Sequence, residues 1–259
     1  MKLKAILAAG ALATTMVSPM VMAAATATTT PEQKKQIEQI VHDYLINNPE
    51  VLVEASQALQ HKQQQSMQEQ AKSAISTNAE QLFNEKVSVS GNPKGDVTVV
   101  EFFDYQCIHC KKMNPVMDAL IKKDNNLRVI YKEFPIFGKS SEMASQAALA
   151  AGMQGKYQQM HDALLKVDKQ LDETIIMDTA KSLGLDMTKL KADMASATVT
   201  DALEANRKLA ESMHLMGTPA FIVAATPAGQ FKANSEPAFI PGAASEEVLQ
   251  GLITKAAGK

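Results

Sequence analysis

Cys107 and Cys110 are the only two cysteines of the chain. They close the segment Glu101-Phe-Phe-Asp-Tyr-Gln-Cys-Ile-His-Cys110, which follows the strand-like run Val97–Phe103 and precedes Lys111–Ile121, a helical pattern. Two thiols at this spacing, at the start of a helix, are the layout of a dithiol/disulfide redox centre. A bridge across two intervening residues closes a very small loop and so adds little stability. Such a loop is a poor staple and a good redox switch. Metal binding is the competing use of the pair, but two cysteines supply only half of a tetrahedral zinc site. His42, His61, His161 and His214 show no ligand spacing with the pair. The expectation is no metal and no cofactor beyond a redox-active Cys107–Cys110 disulfide.

The compartment decides what such a pair is for. Lys2 and Lys4 precede a mostly small and apolar stretch, Ala5–Val21, and Val21-Met-Ala23 fits a cleavage site. This predicts a signal peptide over 1–23 and an exported protein. Thr14, Thr15, Ser18 and Pro19 interrupt the apolar run, which disfavours a permanent anchor, and no later segment is long and apolar enough to span a bilayer. The chain has 259 residues, is 46% hydrophobic and carries a formal net charge of −2. That is ordinary globular composition, with none of the basic excess of a nucleic-acid binder.

The elements that must position the cysteines can be read from periodicity and turn signals. After the Ala/Thr-rich residues 24–30, Pro31 suits the first turn of a helix. Ile37, Ile40, Val41, Tyr44 and Leu45 form one apolar stripe, and Asn47-Asn-Pro49 stops it. A second helix starts near Glu50, with Val51, Leu52, Ala55 and Leu59 on one face, then Met67, Ala71 and Ala74. Seven glutamines between Ser56 and Lys72 allow a solvated linker helix. The alternative is that the stripe from Ile37 to Leu59 packs on a second copy, which predicts a homodimer.

Asn92-Pro-Lys-Gly95 is a turn between strand candidates 86–90 and 96–103. Leu127–Glu133 reads as a strand and residues 140–214 as helical, with Ser140 and Ser141 as caps. Ala220–Ala224 is a strand, and Phe231 with Pro237–Ile240 its pairing partner. Ser245 caps a last helix whose first turn holds Glu246 and Glu247. The predicted organisation is a signal peptide (1–23), a helical oligomerisation segment and linker (24–80), and a third unit (81–259).

The order of strand, Cys-x-x-Cys helix, strand, helical block, strand, strand, helix goes with two distant motifs. These are Glu-Phe-Phe-Asp-Tyr-x-Cys-x-His-Cys and Gly217-Thr-Pro219. Together they resemble the DsbA-like branch of the thioredoxin superfamily over roughly Val87 to Ala257. The resemblance implies an α/β thioredoxin-like fold with a helical insertion at 140–214, preceded by the N-terminal helical segment. Residues 31–80 are similar in role to the N-terminal segments of dimeric isomerases such as DsbC and DsbG, or of suppressor-of-copper-sensitivity proteins.

The resemblance also assigns roles. Cys107 is the nucleophile, favoured as thiolate by the helix N-terminus. Cys110 is the resolving thiol. His109 matches the DsbA pattern and would stabilise the thiolate, while Ile108 stands where DsbA usually has proline. Glu101 matches a buried acid that could accept a proton during exchange. Pro219 matches a cis-proline that exposes the Thr218 backbone to substrate, and threonine there is closer to isomerases than to DsbA. The implied activity is formation or isomerisation of disulfides in reduced or misoxidised exported proteins, with a membrane redox partner and no nucleic acid. The competing reading is a non-catalytic periplasmic chaperone or copper-resistance protein on the same fold, with the methionines as its soft ligands.

Overall fold

A computed structural model describes residues 29–232 and 235–258; the predicted signal peptide lies outside the described residues. The first helix, α1 (Pro31–Asn47), opens on a capping box. Gln33 N donates to Thr30 Oγ1 at 3.2 Å, and Thr30 N donates to Gln33 Oε1 at 2.9 Å. No residue of α1 is buried, so its apolar stripe is left open. Helix α2 spans Glu50–Thr77 and buries only Ala71 and Ile75. The chain divides into two compact units between Ala58 and Leu59.

The second unit adds a short helix, α3 (Ala79–Phe83), that the sequence pattern did not announce. It then lays down β1 (Val89–Gly91), β2 (Val97–Phe103), α4 (Ile108–Lys123) and β3 (Leu127–Glu133). Helix α4 is the crossover that parallel pairing of β2 with β3 requires. Five helices follow: α5 (Lys139–Gly152), α6 (Tyr157–Leu165), α7 (Glu173–Ser182), α8 (Met187–Met194) and α9 (Ala197–Ser212). The chain returns as β4 (Ala220–Ala225), a 3-10 turn at Pro227–Gly229, β5 (Ala238–Ile240) and α10 (Glu246–Ala256). The sheet order is β1-β3-β2-β4-β5, with β4 antiparallel to β2.

Every residue of β2 and β3 is buried, as strands covered on both faces must be. Side chains alternate between those faces. Val97, Val99 and Phe103 point toward Met117 and Leu120 of α4 and into the helical insertion. Val100 and Phe102 point the other way, onto Ile75, Leu82, Phe83 and Met213. Glu101 shares the parity of Val99 and Phe103, which directs its carboxylate to the face that α4 covers. Each fully buried Phe or Val contributes about 1.5–3 kcal/mol.

Three local expectations are corrected. Strand β1 pairs at Val89–Gly91 rather than 86–90, because the Lys86 and Val87 amides donate to Glu85 Oε1 at 2.9 and 3.0 Å and so leave the ladder. Helix α5 begins after Gly138, whose φ of 92° suits glycine. Ser141 does not cap it, because its hydroxyl donates to Asp104 Oδ1 at 2.7 Å. Phe231 is not in a strand; its ring stacks on Phe83 with centroids 4.8 Å apart.

Candidate active site

Cys107 is the N-cap of α4, with extended φ/ψ of −72° and 116°. In that position its sulfur faces the unpaired amides of the first turn, and Cys110 N donates to Cys107 Sγ at 3.4 Å. The two thiols are unbonded. The Cys107 thiol is lowered to about 5, first by the hydrogen bond from the Cys110 thiol. Burial opposes the shift, while Thr218 and the backbone amides of Cys110 and His109 add to it. Cys110 moves strongly upward, chiefly through burial, then by donating to Cys107 and by the nearby Glu101 charge. Adjacent thiols are thus split into one acidic and one reluctant group.

The Thr218–Pro219 peptide bond is cis. The Cys107 thiol donates to the Thr218 carbonyl oxygen at 3.3 Å. Thr218 Oγ1 is buried without a hydrogen-bond partner among the described residues. When Cys107 ionises, the carbonyl contact turns repulsive, and this free hydroxyl is the donor at hand. Pro219 is buried at the start of β4.

Glu101 lies in the middle of β2, 3% exposed, opposite Tyr131 and Phe221. Burial, then the Cys107 charge, pushes its carboxyl up to about 8. It is therefore protonated at neutral pH, as a reversible proton store requires. What His109 supplies in this geometry is its backbone amide; its side chain is exposed, as is that of Ile108. The structure thus gathers Cys107, Cys110, Glu101, Thr218 and Pro219 around one point, with the His109 ring at the rim.

Sequence reasoning missed two buried acids that hold the cysteine loop. Asp104 accepts from the amides of Gln106 (2.6 Å), Ile136 (2.7 Å) and Phe137 (3.0 Å), and from Ser141 Oγ. Glu133, at the end of β3, accepts from Tyr105 (2.9 Å), Tyr157 (2.8 Å) and Ser145 (2.7 Å). Burial holds Glu133 up at about 8 despite these donors. Together they tie residues 104–106 to α5 and α6. The only signal in the sequence was a charged residue at each strand end. Three large apolar side chains near the cysteines are exposed, Ile108, Phe137 and Met216, the last by 96%.

Among the described residues no group of three or more His, Cys, Asp or Glu side chains is arranged to hold a metal ion. No described helix is long and apolar enough to cross a membrane.

Comparison with known proteins adds two family matches. Residues 98–254 match the DSBA-like thioredoxin domain, and residues 33–66 match the copper resistance protein ScsC N-terminal domain. Salmonella enterica Typhimurium BcfH is similar in structure, at a TM-score of 0.73 and 33% identity, covering 87% of this chain and 96% of that one. The thiol:disulfide interchange protein DsbA of Bordetella parapertussis is 28% identical over 150 residues, 56% of this chain and 71% of that protein. A Na(+)/H(+) antiporter NhaA 1 of Salinispora arenicola is 29% identical over 137 residues, 52% of this chain. The chain spans 21% of that antiporter's length, so the similarity is to one part of it. With the DSBA-like match extending over more than half of its length, the chain belongs to the DsbA-like thioredoxin family.

Proposed function

We propose that this chain is an exported thiol–disulfide oxidoreductase that forms or isomerises disulfides in periplasmic proteins. The observation that carries the reading is the split between Cys107 and Cys110 at a helix N-terminus, facing Thr218 across the site. In the oxidising direction, a substrate thiolate attacks Cys107 Sγ of the Cys107–Cys110 disulfide, and Cys110 leaves as a thiolate that takes a proton. A second substrate thiolate then attacks the substrate sulfur of the mixed disulfide. The substrate leaves oxidised, and Cys107 leaves as a stabilised thiolate. Glu101 is the store for the proton at Cys110. Thr218 pairs with the extended substrate backbone, and His109 lies at the rim where a mixed disulfide forms.

A thiolate held at about 5 stabilises the reduced form at neutral pH, which favours a disulfide donor. A membrane partner would reoxidise it. Isomerisation would instead need a partner that keeps Cys107 reduced, and Thr218 and the N-terminal helices favour that capacity. Ile37, Ile40, Val41 and Tyr44 are each at least half exposed along α1, which supports self-association into a homodimer or larger oligomer. Residues 1–23 are proposed as the leader and 24–80 as the association segment and linker.

Replacing Cys107 by Ala should abolish oxidation of a reduced test protein; persistent transfer would refute the enzyme reading. The ScsC N-terminal match favours a second reading, a copper-resistance protein on this fold. Under it, the Cys107→Ala variant would still protect a copper-stressed periplasm.

A further inference from the structure

The loop between α6 and α7 is fastened to the cysteine segment at two points. Gln106 Oε1 accepts from the Leu171 amide at 3.0 Å, and Lys111 Nζ donates to the Val167 carbonyl oxygen at 2.5 Å. Gln106 immediately precedes Cys107, and Lys111 immediately follows Cys110. Residues 166–170 of the insertion therefore have a fixed place relative to the reacting sulfur. Between this loop and α4 lies a cleft of about 880 Å³, within the range of ligand sites, about 300–1,000 Å³.

Four lysines line the cleft, Lys111 and Lys112 from α4 and Lys166 and Lys169 from the loop, against two acids, Asp118 and Asp168. Among the described residues none of these lysines is in a salt bridge. The chain as a whole carries a formal net charge of −2, so this local positive excess runs against the charge of the molecule. Asn114 lines the same cleft, is 5% exposed, and its Oδ1 has no hydrogen-bond partner among the described residues. A buried amide oxygen calls for a donor. The terminal torsion of asparagine is soft, so this amide can turn to a backbone N–H lying in the cleft.

We propose that this cleft is a recognition site for an acidic segment of polypeptide close to the reacting cysteine of a substrate. The inference rests on the thiol–disulfide reading and concerns which substrates reach Cys107 fastest. Gln106 and Ile108, the two sequence neighbours of Cys107, both line the cleft. A substrate bonded to the sulfur therefore has residues within a few positions of the lysines, at about 3.3 Å of extended chain per residue. Exposed lysines paired one by one with carboxylates add little affinity. Their collective effect is on encounter, because clustered charge of one sign raises on-rates by about 10–10³ and selects partners of opposite charge. Ile108, Pro115 and Phe137 line the same cleft, which favours a polypeptide with apolar residues among its acids over a small anion.

The test uses the full chain in its disulfide form and three single-cysteine peptides that differ only in carrying Glu, Gln or Lys at the same positions flanking the cysteine. The peptide thiolate attacks Cys107 Sγ and Cys110 leaves as a thiolate; the mixed disulfide is trapped by acid and followed by mass spectrometry. Each rate is divided by that peptide's rate with a small uncharged disulfide, which removes the effect of the flanking charges on its own thiol. At low ionic strength the Glu peptide should react at least about tenfold faster than the Lys peptide. The ratio should approach one at about 1 M salt, where the Debye length is about 3 Å. Lys112→Glu combined with Lys169→Glu should bring the ratio to one or below. Lys62→Glu combined with Lys189→Glu, the same change of charge on exposed residues outside the cleft, should preserve it. A wild-type ratio near one overturns the proposal, as does a ratio unchanged in the cleft variant or an equal fall in both variants, which would assign the effect to net charge. If the Gln peptide does not react with the wild type at all, the thiol–disulfide reading itself falls, and the two failures are distinguishable.

Discussion

Cys107 Sγ lies 3.3 Å from the carbonyl oxygen of Thr218, a residue 111 positions further along the chain. Thr218 also carries a buried hydroxyl with no other partner among the described residues. One residue therefore offers the protonated sulfur an acceptor and the ionised sulfur a donor. Replacing Thr218 with Val keeps the carbonyl and removes the donor. A hydrogen bond to a charged group contributes about 1.5–3 kcal/mol, and about 1.4 kcal/mol corresponds to one pKa unit. Thr218→Val should raise the Cys107 pKa by about one unit or more. Thiolate absorbance near 240 nm against pH checks this, and an unchanged midpoint would mean that the hydroxyl plays no part.

The split between the two thiols predicts which one reacts. In the reduced protein, iodoacetamide should modify Cys107 first, with a midpoint near pH 5 rather than 9.0. The depressed pKa makes the reduced fold more stable relative to its unfolded chain as pH rises from about 5 to 9.0. That gain is lost again as pH falls through 5. Changing Cys110 to Ser should leave a long-lived mixed disulfide on Cys107, because the internal attack that reverses it is gone. Equal labelling of both cysteines at pH 6 would contradict the assignment.

Glu101 makes a prediction of opposite sign. Below pH 4.5 its carboxyl is neutral in both folded and unfolded chains and its ionisation has no effect. Between 4.5 and about 8 the unfolded chain ionises while the folded one stays protonated, so stability falls as pH rises. Glu101→Gln should therefore equal the wild type at pH 4 and exceed it at pH 8 in urea midpoint. It should also slow Cys110 chemistry at neutral pH by tenfold or more, within the about 10²–10⁴ that a proton-transfer group supplies. A variant that matches the wild type in both readouts would leave Glu101 without a proton-transfer role.

Much of this arrangement was legible because it is local. Val97–Phe103 and Leu127–Glu133 are runs of buried residues between turn signals, and the strands form where the runs lie. Cys107 caps a helix that follows it directly. What was not legible depends on contacts between distant residues. Ser141 reads as a helix cap until Asp104, across the fold, takes its hydroxyl. Val87 reads as strand until Glu85 captures its amide. The partnership of Glu133 with Tyr105, Tyr157 and Ser145 joins one strand end to a loop and two helices. No periodicity encodes it.

The unit boundary gives a truncation prediction. Ile75, Leu82 and Phe83 sit in the buried face beneath β2 and β4, whereas α1 buries nothing. A chain beginning at Leu59 should fold, retain the Cys107 titration and run as a monomer by light scattering. A full mature chain that is already monomeric would remove the case for self-association through α1.

Glu133 supports a final prediction that connects the helical insertion to the cysteines. Its carboxyl accepts from two tyrosines and a serine in a fully buried setting. Removing it leaves the Tyr157 and Ser145 hydroxyls unpaired, and Tyr105 with only His161 Nδ1 at 3.3 Å; each unpaired donor costs about 1–3 kcal/mol. Glu133→Ala should therefore lose at least about 2 kcal/mol, whereas Tyr157→Phe removes a single bond and should lose about 1 kcal/mol. Tyr105 is two residues before Cys107, and losing its anchor should loosen the loop that sets the first turn of α4. The expected signature is faster exchange of the Cys107 and Cys110 amides in Glu133→Ala but not in Tyr157→Phe. Urea unfolding at pH 6 and amide exchange measure the two effects separately. Equal losses from both substitutions would show that Glu133 acts through one tyrosine alone and does not join the loop to the insertion.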